Sequence, residues 1–175
     1  MKTIAAIALA AIVLTSPAIA QSKPKLTVAQ ALSLLAALRN LDGHMSVVKQ
    51  NGQDVTIMVP WEFGSGILRA RVAGDISILV PIEKTTEETR QGIIREIVAT
   101  MPPGKDGKQL LGVVPGTPQF DDFQRQYQSA LDAEAPINGV LARIKMSDLK
   151  LDKNEIPVTA LSALTPILDD DLAPK

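Results

Sequence analysis

The chain has 175 residues, 18 Lys and Arg against 19 Asp and Glu, a formal net charge of −1 and no cysteine. The lack of cysteine excludes disulfides and thiolate metal centres. The near-balance of charge argues against nucleic-acid binding, which calls for a basic excess or stripe, and gives no reason for attachment to an anionic membrane.

The chain opens with Met1-Lys2, an apolar run from Ile4 to Leu14, and then Thr15-Ser16-Pro17-Ala18-Ile19-Ala20-Gln21. A positive start, a short apolar middle and a small-x-small end are the parts of a secretory signal peptide. The run falls well short of the ~20 residues that a membrane-crossing helix needs. Pro17 breaks it, and Ala18 and Ala20 are small enough for the peptidase, so cleavage is expected between Ala20 and Gln21. The mature chain is then periplasmic or secreted, with no membrane anchor. Residues 1–20 read as the leader, 21–168 as a single α+β domain and 169–175 as an acidic tail.

Thr27-Val28-Ala29-Gln30 has the form of a capping box, in which the Thr hydroxyl and the Gln side chain satisfy each other's backbone N–H groups. Val28, Leu32, Leu35 and Leu38 follow at steps of four and three with Ala31 beside them, which predicts a helix near 27–40. Asp42-Gly43 supplies its stop. Two β-branched runs, Met45 to Lys49 and Asp54 to Val59, flank Asn51-Gly52. Both turn residues tolerate positive φ, so a hairpin is predicted over about 45–60.

Residues 64–100 carry two patterns. Leu68, Ala70 and Val72 alternate with Arg69 and Arg71, and Gly74-Asp75 reads as a turn into Ile76–Val80, which favours a second hairpin slightly. Leu68, Val72, Ile76, Leu79 and Ile82 also fit one helical face, kinked at Pro81. From Thr86 onward Ile93, Ile94, Ile97 and Val98 form a helical stripe that ends at Met101-Pro102-Pro103-Gly104. Residues 101–118 are rich in Pro and Gly and read as a loop.

Thr117-Pro118 starts a helix over about 118–133, with Asp121 and Asp122 near its positive end and Phe120, Phe123, Tyr127, Ala130 and Leu131 along one face. Residues 139–146 alternate weakly and could add a third strand to the hairpin. Pro157 to Leu164 reads as a short final helix.

No reactive constellation stands out. His44 is the single histidine and has no local nucleophile or orienting acid. With one His and no Cys, a zinc site is not expected, and Asp152-Lys153-Asn154-Glu155 lacks the glycine and distal Glu of a calcium loop. Gly104-Lys105-Asp106-Gly107-Lys108 fails the spacing of a phosphate-binding loop. No metal or cofactor is therefore expected. Trp61 and Phe63, two apart, are most simply core anchors together with Val59. Their sharper reading is an aromatic contact patch, because aromatics are enriched at interface cores. Trp61, Phe63, His44 and Tyr127 are accordingly the candidate ligand- or partner-contact residues.

Short motifs run through most of residues 26–168. They are Leu41-Asp42-Gly43, Val59-Pro60-Trp61-Glu62-Phe63 before Gly64-Ser65-Gly66, then Arg69, Ala73, Asp75, Ile76, Leu79 and Pro81. Phe123 and Tyr127 before Leu131, Arg143 to Leu149, Ile156-Pro157 and Leu161 to Leu164 complete the set. In these the chain resembles a group of small, functionally uncharacterised proteins found in phages and bacterial prophage-like regions. That group has no assigned activity, so the resemblance implies no site residues. It implies that 66–100 form one long helix, open to a kink, and this reading is adopted. The leader sets the chain apart from the group.

The resulting expectation is an α+β fold, with a small antiparallel sheet packed on three helices near 27–40, 66–100 and 118–133. Its expected role is that of an exported, non-enzymatic interaction or accessory protein with a protein partner. The rival readings are a small-molecule binder with a pocket near Trp61, His44 and Tyr127, and a metal-independent hydrolase using a Ser, His44 and an Asp.

Overall fold

Thr27 starts the first helix through the predicted box. The Gln30 N–H donates to Thr27 Oγ1 at 3.2 Å, and the Thr27 N–H donates to Gln30 Oε1 at 2.9 Å. This is the opening of α1 (Val28–Asp42) in a computed structural model that describes residues 25–59, 61–63, 66–103, 111–152 and 156–169, apart from the side chains of Asp42, His44 and Ser46. The expected leader, its Ala20–Gln21 cleavage point and the tail beyond Asp169 lie outside the described residues.

The architecture is α+β. After α1 come strands β1 (His44–Gln50) and β2 (Gln53–Val59), then α2 (Gly66–Ala99) and α3 (Pro118–Asp132). The last third holds β3 (Ile144–Lys145), a 3₁₀ turn (Met146–Leu149), α4 (Val158–Leu164), a second 3₁₀ turn (Thr165–Ile167) and β4 (Leu168–Asp169).

Helix α1 is the central element. Val28, Ala31, Leu34, Leu35, Ala37, Leu38 and Leu41 are all buried, a wider face than the predicted stripe, whereas Leu32 is only half-buried. The reason is that α1 is packed by α2, α3 and α4 together, so one stripe is not enough. Its entry is tied down by the segment after α3. The Val28 N–H donates to Ala133 O at 2.9 Å and the Ala135 N–H to Leu26 O at 2.8 Å, with an antiparallel bridge at Thr27 and Glu134.

The segment 66–82, which on pattern alone leaned to strands, is helical. Helix α2 runs 34 residues, about 50 Å at 1.5 Å per residue, with Pro81 inside it. Its buried row is Leu68, Val72, Asp75, Leu79, Ile82 and Thr86, at steps of three and four. Ala70, which the strand pattern set on the inner face, is exposed. The N-terminal half of α2 joins the main core. Ile97 and Val98 are also buried but lie outside that cluster.

Helix α3 begins as predicted, with Thr117 Oγ1 accepting from the Phe120 N–H at 3.3 Å and Pro118 in the first turn. It lies on the C-terminal half of α2, where Ala130 and Pro136 approach Thr85, Thr86 and Thr89. No residue of α3 is fully buried.

Two expectations about the sheet are corrected. Residues 139–146 do not extend the hairpin. Ile144 and Lys145 instead pair in parallel with Leu168 and Asp169, forming a separate two-stranded sheet. Arg143 clips that pair: its Nε donates to Asp169 Oδ1 at 2.8 Å, Nη1 to Pro166 O at 2.8 Å and Nη2 to Leu168 O at 2.9 Å. Asp169, expected to open the solvated tail, is therefore held by the fold. The hairpin itself forms as predicted, with Asn51 (φ 54°) and Gly52 (φ 81°) in the turn. It is not layered on the helices, however. None of its described side chains belongs to the buried core or to the half-buried residues packed against that core.

Candidate functional site

Trp61 and Phe63 follow β2 directly and do not share a strand face. The Phe63 N–H donates to Trp61 O at 3.1 Å, which folds the chain back on itself and separates the rings. Trp61 enters the main core and is 3% exposed, with its indole N–H buried and without a partner among the described residues. A buried indole donor without an acceptor carries a desolvation cost. Phe63 is half-buried against the core, with the Arg69 guanidinium 5.6 Å from its ring centroid. An aromatic contact patch built on Trp61 therefore has no exposed ring to offer.

His44 opens β1, and its backbone pairs with Val59 at the base of the hairpin. Tyr127 sits on α3, stacked on Phe123 with centroids 5.6 Å apart, within electrostatic reach of Arg90 on α2. Phe63 lies beside position 69 of α2 and Tyr127 beside position 90, about 30 Å further along the same helix. The structure sets Tyr127 and the Trp61–Phe63 pair toward opposite ends of α2, not around one cavity.

Sequence reasoning passed over Asp75. It occupies a core position in the buried row of α2 and is 2% exposed. Oδ1 accepts from the Ala142 N–H at 2.8 Å, and Oδ2 is buried without a partner among the described residues. Burial pushes its pKa up to about 6, against the smaller opposing pull of the Ala142 hydrogen bond. The carboxylate holds the segment before β3 onto α2, close to where Gly139 meets Ile78 so tightly that a Cβ would lie 2.9 Å from Ile78 Cδ1. The available signal was its spacing: three after Val72 and four before Leu79. The turn reading of Gly74-Asp75 concealed it.

Two further carboxylates are held in ion pairs at the surface. Arg39 grips Glu83 with two hydrogen bonds of 2.8 and 2.7 Å, which hold the Glu83 carboxyl below its ordinary range. Arg90 and Gln91 donate to Glu87 and bring it down to about 2. Among the described residues no group of three or more His, Asp or Glu could hold a metal ion, and no helix is long and apolar enough to cross a membrane.

Two concavities accompany these groups. A cavity of about 60 Å³ between Val28, Ile82, Thr86 and Ala130 is far below the ~300 Å³ of an ordinary ligand site. A groove of about 590 Å³ lies between α1 and α4, lined by Gln30, Ser33, Thr159, Ser162 and Thr165 among others. It offers hydroxyls and an amide, and no ionisable or aromatic side chain.

The feature with the largest unmet demand is the hairpin. Met45, Val47 and Met58 are 62, 65 and 63% exposed, and Ile57 on the other face is 40% exposed. Contiguous apolar surface on a two-stranded ribbon is unusual, because such a ribbon is marginal on its own. The chain matches no known protein family, no characterised protein and no solved structure with which it was compared.

Proposed function

We propose that the chain is an exported, non-enzymatic interaction or accessory protein, and that the β1–β2 hairpin is its contact element. The observation that carries this reading is the set of exposed apolar side chains, Met45, Val47 and Met58, on a ribbon that adds nothing to the core. Exposed apolar surface of this kind marks association sites. The leader at residues 1–20 supports export, and N-terminal sequencing of the secreted chain should begin at Gln21.

The contact role is tested by capture from periplasmic extract with the wild-type chain beside Met45→Asp and Met58→Asp. A partner retained by the wild type and lost from both variants is the expected result. Retention of nothing, together with turnover of a defined substrate, would sink the reading.

A second reading, binding of a small polar ligand, has the α1–α4 groove in its favour. A thermal-shift screen of polar metabolites in which Ser33→Leu abolishes a stabilising hit would support it.

A further inference from the structure

The register of the hairpin identifies what its open face fits. Residues directly opposite in an antiparallel pair lie on the same face, and the face alternates along each strand. Met45 pairs with Met58, Val47 with Thr56 and Lys49 with Asp54, so these six share one face. All six are exposed. The opposite face is different: Val48, Val55 and Val59 there are half-buried. One face of the ribbon is thus exposed along its length. It is apolar at its base and carries one cation on β1 and one anion on β2 near its tip.

We propose that this face packs on the same face of a second copy of the chain, about a two-fold axis running along the ribbon. The inference rests on the hairpin being a contact element and names its partner. Such an axis lays β1 of one copy over β2 of the other. Met45 then meets Met58 of the second copy, Val47 meets Thr56, and Lys49 meets Asp54, each contact occurring twice, as an isologous interface requires. The alternative two-fold, across the ribbon, sets β1 on β1 with the tips reversed. It drives Lys49 and Asp54 against the methionines and leaves both charges desolvated and unpaired. Only the axis along the ribbon satisfies both the apolar and the charged ends. The face is small, below the roughly 1,200 Å² of a standard specific interface, so the association depends on concentration.

Sedimentation equilibrium of the mature chain over a wide concentration range tests the proposal. The mass should rise from monomer toward dimer, and Lys49→Glu and Asp54→Lys should each remain monomeric. An equimolar mixture of the two variants should regain the dimer, because opposite charges meet at both crossings only in the mixed pair. The mixing step separates the contact between copies from the Lys49–Asp54 pair within each hairpin, which is equally disrupted before and after mixing. Strand content by circular dichroism checks that both variants keep the hairpin. A wild-type monomer at about 1 mM, or a mixture that stays monomeric, would overturn the dimer. If the wild type is monomeric yet retains an extract partner that Met45→Asp loses, the dimer falls and the contact reading stands. If it retains none, both fall.

Discussion

Helix α1 and the β1–β2 hairpin adjoin one another through Gly43, and both carry large apolar side chains, yet they end in opposite surroundings. Leu34, Leu35, Leu38 and Leu41 on α1 are sealed, whereas Met45, Val47 and Met58 on the hairpin stand in solvent. The difference lies in the neighbours. Helix α1 is packed by three other helices, so its wide apolar face is covered while Gln30, Ser33, Ala36, Arg39 and Asn40 face outward. Among the described residues the ribbon has its own two strands as its main contacts, and the side chains of one of its faces stand exposed. Apolar content supplies the demand for burial, and topology decides whether the chain meets it internally.

The contrast can be pressed experimentally, starting where the largest effect is expected. Leu38→Ala should cost about 2–5 kcal/mol, because it opens a cavity at a fully buried position. Urea unfolding would show a lower midpoint with an unchanged slope. An equal loss from Met58→Ala in dilute solution would erase the distinction between the two regions.

Asp75→Asn probes a carboxylate buried within the helical core. The folded carboxyl, at about 6, binds its proton more tightly than the unfolded one at about 3.9. Its contribution to stability is therefore full below about pH 4, is lost as the pH rises to about 6, and is flat above. The loss at pH 7 amounts to about 3 kcal/mol. The Asn variant keeps an acceptor for the Ala142 N–H and does not titrate. It should match the wild type near pH 4 and exceed it by up to ~3 kcal/mol at pH 7. Glu83 and Glu87 are held low and slope the other way with pH, so the difference between the two proteins is the quantity to measure.

Thr27→Ala removes the capping box at the start of α1 and should cost about 1 kcal/mol in thermal unfolding. Met45→Ser should change monomer stability by less than ~0.5 kcal/mol, since its side chain is mostly in water already. A change above ~1 kcal/mol in dilute solution would mean that the hairpin is part of the core after all.

How much was legible follows the same division between local and distant. The Thr27 box, the Asn51-Gly52 turn and the Thr117-Pro118 start act over three or four residues, and each appears where its residues place it. Segment 66–82 was ambiguous because Leu68 and Val72 satisfy a period of two and a period near four alike. What decides it is the partner helix, which spacing does not name. The β3–β4 pair joins residues 24 positions apart over two residues each, too short a signal to read. Asp75 looked like a turn residue until the helix around it was fixed. Trp61 reads correctly as a core anchor from its type. Its separation from Tyr127 depends on the length of α2.

The link between residues 26–28 and 133–135 also constrains the order in which the molecule can assemble. Helix α1 is among the first parts of the described chain to be made, but it is tied at its entry to the segment after α3 and packed by α4. A chain that emerges N-terminus first can cover α1 with α2 early, but must leave the part of α1 that α4 packs on open until its last third has followed, and closing so long a loop is slow. Closure of the core around α1 thus waits for the last third of the chain. Truncation within the final thirty residues should leave α1 without a complete home.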